Sequence, residues 1–268
     1  MVIAAASITQ NLLAGDARGE QLGPAGLTFL MRRYAAAGGE ELRPALERGL
    51  TQTLERVAAG ECGPAWIHVL CEAAAITNDE RIVDAVAHGV RVLRSAWPCR
   101  GTLVEAMRSI DACLLAAPLV GIDLISASID ELERVVSLVY RPGERLPRSV
   151  RNADADDGDV EEHVAAATAL LTAHDATARL PYSMLAEELI QPVRAGGGPK
   201  GPPYVRVLCR LARLHDDEDY RRTAVIAASS DYRAEARAVL EELRLPDDAC
   251  SEDVALVGLA TVELVRTS

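Results

Sequence analysis

The chain is predicted to be all-α, built of stacked antiparallel helical hairpins, and three observations lead there. A helix–turn–helix phrase occurs twice. Leu70-Cys71-Glu72-Ala73-Ala74-Ala75-Ile76-Thr77-Asn78-Asp79-Glu80-Arg81-Ile82 returns 138 residues later as Leu208-Cys209-Arg210-Leu211-Ala212-Arg213-Leu214-His215-Asp216-Asp217-Glu218-Asp219-Tyr220. In each copy an apolar helix ends at a short Asx-Asp turn, and an amphipathic helix opens on acidic residues. A single hairpin cannot bury its own apolar stripe, so repeated hairpins imply stacking. Apolar residues also recur at helical period along most of the chain, and no alternating β-branched run is long enough for a central strand. Finally, the 268 residues are 49% hydrophobic but only 3% aromatic, so Ala, Leu and Val must fill the interior. Small side chains let helix axes approach closely.

Thirteen helices follow in order from period and punctuation. The first, near 3–14, opens in an apolar N-terminal run; those near 25–37 and 41–59 stop at Gly38-Gly39 and Gly60. Pro64 starts the helix at 64–76, and Asn78 and Asp79 separate it from 79–95. Segments near 102–117 and 128–140 follow, the latter with Asp130 and Glu131 at its positive N-terminal end and Gly143 beyond it. Glu161 and Glu162 open 159–174 in the same way. Pro181 and Pro202 sit in the first turns of 180–193 and 202–215, where a missing N–H costs nothing. The remaining helices lie near 217–229, 231–243 and 251–266; Ser229-Ser230-Asp231 forms the N-cap region of the second, and Ser251 with Glu252 and Asp253 opens the last. Two loops stand out: 141–159, first basic and then acidic, and 195–203, rich in Gly and Pro. Long loops of this kind carry function or mobility. Helices resume in the same style on both sides, so the reading is one domain over 1–268, with 141–159 as its candidate seam.

Charge narrows the partners. Forty acidic and 28 basic residues give a net −12, and Lys200 is the only lysine. Such a surface repels phosphate backbones and anionic lipid, which argues against nucleic-acid and membrane partners. No apolar run reaches the roughly 20 residues of a membrane span. The six cysteines show no paired Cys/His spacing and fall largely in apolar runs, which predicts reduced thiols, a cytoplasmic setting and no metal site. No cofactor motif is present: the Gly196–Gly198 run lacks P-loop spacing.

The phrase at Leu208–Tyr220 resembles the hairpin signature of α/α-toroid proteins, a group that includes six-hairpin glycosidases and N-acylglucosamine 2-epimerase-like proteins. The copy at Leu70–Ile82 and a looser one at Val164–Ala178 resemble it too. The resemblance implies six hairpins around a central cavity, with a complete or incomplete ring, and with the sites of enzyme members at one mouth. Tetratricopeptide-like solenoids use similar turns.

Three acidic residues are candidates for chemistry. Asp156 lies in Asp154-Ala155-Asp156-Asp157, which resembles the D-x-D-D motif of class II terpene cyclases, where an Asp protonates an isoprenoid alkene. Gly158-Asp159 replaces that motif's usual Thr-Ala, and the aromatic lining a carbocation needs is missing. A solvated charge run capping the next helix is the simpler account. Glu188 falls at the edge of an apolar face of Tyr182, Met184, Leu185 and Leu189, whereas Glu187 points away. Asp111 lies among Met107, Ile110, Leu114 and Leu115, with Arg108 nearby. Buried carboxylates need a partner or a raised pKa. Each is therefore read as a buried ion pair or, alternatively, the two as an acid/base pair of the sort that cleaves glycosides. His68 and Glu72 read as an exposed i,i+4 pair; His174 and His215 sit at helix C-termini, where a cation is favoured.

The leading expectation is a non-catalytic or small-ligand-binding toroid, because no catalytic constellation is complete. The alternatives are an enzyme acting on a sugar through paired carboxylates and an open helical scaffold for protein partners.

Overall fold

The computed structural model describes residues 5–97, 101–152, 157–196, 198–243, 245 and 249–266. Thirteen helices occur among them: α1 (Ala5–Ala17), α2 (Pro24–Ala37), α3 (Arg43–Ala58), α4 (Pro64–Thr77), α5 (Glu80–Ser95), α6 (Leu103–Val120), α7 (Asp123–Val139), α8 (Val160–Thr177), α9 (Leu180–Ala195), α10 (Pro202–Asp216), α11 (Glu218–Thr223), α12 (Tyr232–Glu242) and α13 (Ser251–Arg266). No strand is present among the described residues, only the isolated bridges Thr102–Ser149 and Pro147–Asp157.

Six helices form an inner ring. α2, α4, α6, α8, α10 and α13 pack side by side in that order, and α13 returns to pack on α2, so the ring closes. The open concave groove expected of a scaffold is therefore not formed. Outer helices cover the ring: α3 lies over α2 and α4, α5 over α4 and α6, and α7 over α6 and α8. α9 backs α8, α12 backs α10 and α13, and α1 backs α13. Apart from the short α11, inner and outer helices alternate along the chain, so the inner helices all run in one direction.

The apolar core lies between the rings, where Leu27, Leu30, Ile67, Leu70, Met107, Ile110, Val207 and Leu208 are buried. Close approach is built in by glycine at two equivalent places. A Cβ on Gly49 would stand 2.2 Å from Leu27, and one on Gly89 would stand 2.2 Å from Ile67.

Local chemistry starts most helices as expected. Proline opens α2, α4 and α10, while the side chains of Asp79, Thr102 and Asp231 accept amide protons at the starts of α5, α6 and α12. Two boundaries differ by more than three residues. α7 begins at Asp123 rather than near 128. The helix expected over 217–229 stops at Thr223, because the Ile226 and Ala227 amides donate to the Glu187 carboxylate instead of continuing the ladder.

The long connection between α7 and α8 is fastened at the N-terminal end of the ring. Leu103 N donates to Arg148 O at 2.8 Å, Val150 N to Gly101 O at 3.1 Å, and Gly158 N to Leu146 O at 2.7 Å. Leu146 N also donates to Nε2 of buried His163 at 3.3 Å, and His163 Nδ1 lies 2.8 Å from Leu189 O. An imidazole that accepts at Nε2 must carry its proton on Nδ1.

Candidate active site

The faces that inner helices turn away from the core meet around the ring axis, where Arg32, His68 and Glu72 are only partly exposed. Five inner helices place a polar residue at the ninth position: Arg32 on α2, Glu72 on α4, Asp111 on α6, Thr168 on α8 and Arg210 on α10. α13 contributes Glu263.

These groups interlock. Arg32 Nε donates to Glu72 Oε1 at 2.9 Å, and its Nη1 donates to Glu263 Oε1 at 2.8 Å. Arg206 Nε reaches the same Glu263 oxygen at 3.0 Å. Four helices of the ring, α2, α4, α10 and α13, are thereby joined through charge. Burial would raise the Glu263 pKa, but Arg206 and Arg32 hold it below the usual carboxylate range. On the other side Arg210 donates to Thr172 Oγ1 at 3.1 Å, Thr168 O at 3.3 Å and Asp175 Oδ2 at 2.7 Å.

Asp111 sits between the two groups. It is 4% exposed, and its Oδ2 lies 3.2 Å from His68 Nε2. Burial pushes its pKa up, but His68, then Thr172 and Arg210, outweigh that and hold it lowered. Its other oxygen, Oδ1, is buried and has no hydrogen-bond partner among the described residues. The Cys71 thiol, pushed up to about 12 by burial and then by Glu72, Cys113 and Asp111, lies within the field of both carboxylates. Beside this layer a cavity of about 380 Å³ opens toward the C-terminal ends of the inner helices, lined by Arg32, Glu72, Glu263, Arg213, Arg266 and Ile76 with two alanines. That volume suits a small ligand.

The candidates read from sequence scatter. Asp111 is axial. Glu188 is on the outer helix α9, where Tyr140 Oη donates to it at 2.6 Å and is itself pushed up to about 12, first by that bond. Among the described residues the two share no hydrogen-bond or ion-pair partner: Tyr140 holds Glu188, and His68 faces Asp111. Asp156 lies outside the described residues; its neighbour Asp157 is exposed. Glu187, read as pointing away, is fully buried. The α9 face that packs inward is Ser183, Ala186, Glu187 and Ile190; its small residues permit the close contact with α8. His68 and Glu72, read as an exposed pair, instead meet Asp111 and Arg32. His215 Nε2 lies 3.0 Å from Glu187 Oε1. No group of three or more His, Cys, Asp or Glu able to hold a metal occurs among the described residues, and no helix there is long and apolar enough to cross a membrane.

No protein-family model matches the sequence, and no curated protein matches it. Solved structures do. The GH76A α-1,6-mannanase from Salegentibacter sp. HEL1_6 superposes with a TM-score of 0.63 at 12% identity, over 99% of this chain and 100% of that chain. An inactive variant of the same enzyme, with two consecutive aspartates replaced by alanine and α-1,6-mannotetrose bound, matches with the same score over 98% and 99%. The fold is an α/α toroid. The toroid's ring is complete. Both neighbours are forms of an α-1,6-mannanase, which runs against the leading expectation of a non-catalytic toroid and favours the sugar-acting alternative.

Proposed function

We propose that this toroid is an enzyme acting on a saccharide held at the ring axis, with Asp111 and Glu72 as its working carboxylates. The observation that carries the reading is Asp111, a buried axial carboxylate held ionised with one oxygen unclaimed by the protein. An ionised carboxylate with a free lone pair suits a base or a nucleophile rather than a general acid. Glu72, fixed by Arg32, is the neighbouring carboxylate on the cavity wall. The mannanase neighbours and the bound oligosaccharide in one of them support a glycoside as the substrate class. The free thiols of buried Cys62 and half-buried Cys71 favour a reducing, cytoplasmic setting. One domain over 1–268 accords with helices from both sides of 141–159 entering the same ring.

The test is a hydrolysis screen of the full chain against α-linked manno-oligosaccharides and other glycosides, repeated with Asp111→Asn. Cleavage by the wild type and its loss in the folded variant are expected. A wild type inert toward the whole panel, or an Asp111→Asn variant with full activity, sinks the reading.

A further inference from the structure

Five arginines reach the axis, and they are unequally matched. Arg32, Arg206 and Arg210 are paired with Glu72, Glu263 and Asp175. Arg213, in the last turn of α10, and Arg266, at the end of α13, line the cavity and are exposed. Neither meets a carboxylate among the described residues. Part of their charge answers the negative ends of their own helices. Those ends carry only partial charge on carbonyl oxygens, and they leave the planar guanidinium forks free to make paired bonds to a carboxylate or phosphate. In a chain of net −12, the cavity mouth is a local reversal of sign. The opposite wall, Ala35, Ala75 and Ile76, is aliphatic, and no aromatic ring lines the cavity. It therefore lacks the flat apolar platform on which the C–H face of a neutral sugar stacks.

We infer that the cavity selects an anionic saccharide, whose carboxylate or phosphate is clasped by Arg213 and Arg266 while its sugar rings lie toward Glu72 and Asp111. The inference rests on the saccharide reading above and adds the charge of the substrate. Its test is calorimetric titration of the full chain with three probes: α-1,6-mannotetrose, its phosphomonoester, and a uronate tetrasaccharide. One or both anionic probes are expected to bind about tenfold or more tightly than the neutral one at about 0.1 M salt, with the advantage shrinking near 1 M salt. The double variant Arg213→Gln/Arg266→Gln should erase that preference, and Arg213→Lys/Arg266→Lys should restore part of it. Whichever anionic probe wins identifies the group as phosphate or carboxylate. Equal or tighter binding of mannotetrose, or a preference that survives in the Gln variant, overturns the inference and leaves the saccharide reading standing. Silence from all three probes overturns both. Anion-selective binding by a chain that cleaves none of the probes ends the enzyme reading alone.

Discussion

Two buried carboxylates, Glu187 behind the ring and Asp111 inside it, have opposite surroundings. Glu187 accepts from Ile226 N at 3.0 Å, Ala227 N at 3.1 Å, Tyr232 Oη at 2.8 Å, and lies 3.0 Å from His215 Nε2. Both its oxygens are used, and four segments are tied to one point. Asp111 has comparable burial but leaves Oδ1 without a donor. A fully satisfied buried charge specifies structure, whereas an unsatisfied one costs stability and persists where function needs it. The toroid thus separates its anchors, placed between the rings, from its reactive group, placed on the axis.

Substitution can break that contrast. The largest effect is expected from Asp111→Asn, which should lower kcat/KM by about a hundred- to ten-thousandfold while shifting stability by no more than about 1 kcal/mol. Arg210 retains Asp175 after the change, so that guanidinium is not stranded. Denaturant unfolding beside initial-rate kinetics separates the two quantities. Glu187→Ala should do the reverse. It orphans two amides and a tyrosine hydroxyl, for a loss of about 3–5 kcal/mol, with kcat unchanged in the fraction that folds. If Glu187→Ala removes activity at full stability, the division between anchor and reactive group is wrong.

The scaffold was far more legible than the axis. Apolar period and Gly-Pro helix starts survive in the sequence because each is set by residues a few positions apart. The early stop of α11 was hidden, since it depends on Glu187, 39 residues before Ile226. Axial residues were hidden for another reason. A polar side chain turned from the core has the same pattern whether it meets bulk water or the centre of a ring, so His68 and Glu72 read as exposed. One signal was available. Gly23-Pro24-Ala25 recurs as Gly63-Pro64-Ala65, and counting from each proline places Arg32 and Glu72 at the same register. Carried to the starts of α6 and α10, that count reaches Asp111 and Arg210.

His163 belongs with Glu187 among the anchors, since both ring nitrogens are engaged. Burial lowers its pKa from 6.5; Arg145 acts in the same direction, while the bond to Leu189 and nearby Glu162 oppose it. A lowered folded value means that the unfolded chain takes up the proton first. The stabilisation is complete above about 6.5 and falls as pH drops toward the lowered value. Asp111 and Glu263, also lowered, lose theirs only below the ordinary carboxylate range near 4. Wild-type stability should therefore decline as pH drops below about 6.5, and His163→Gln should flatten that slope. A slope that persists unchanged in the variant would place the proton on another group.

The smallest effect concerns the backbone. Asn78 and Ala178 end the inner helices α4 and α8 in the left-handed region, at φ 51° and 55°. Asn tolerates that conformation, but the Cβ of Ala is crowded there, at a cost of about 1–2 kcal/mol. Glycine relieves the crowding and returns part of the gain as unfolded-state entropy. Ala178→Gly should then stabilise by about 1 kcal/mol, a rise of roughly 2–4 °C in Tm for a chain of this size. α8 also carries Thr172, which bonds Arg210 near Asp111, so the variant tests which side of the contrast this turn belongs to. A higher Tm with unchanged kcat/KM makes the strain a tolerated feature of the scaffold. A higher Tm with reduced kcat/KM makes it a second place, after Asp111 Oδ1, where stability is given up for function.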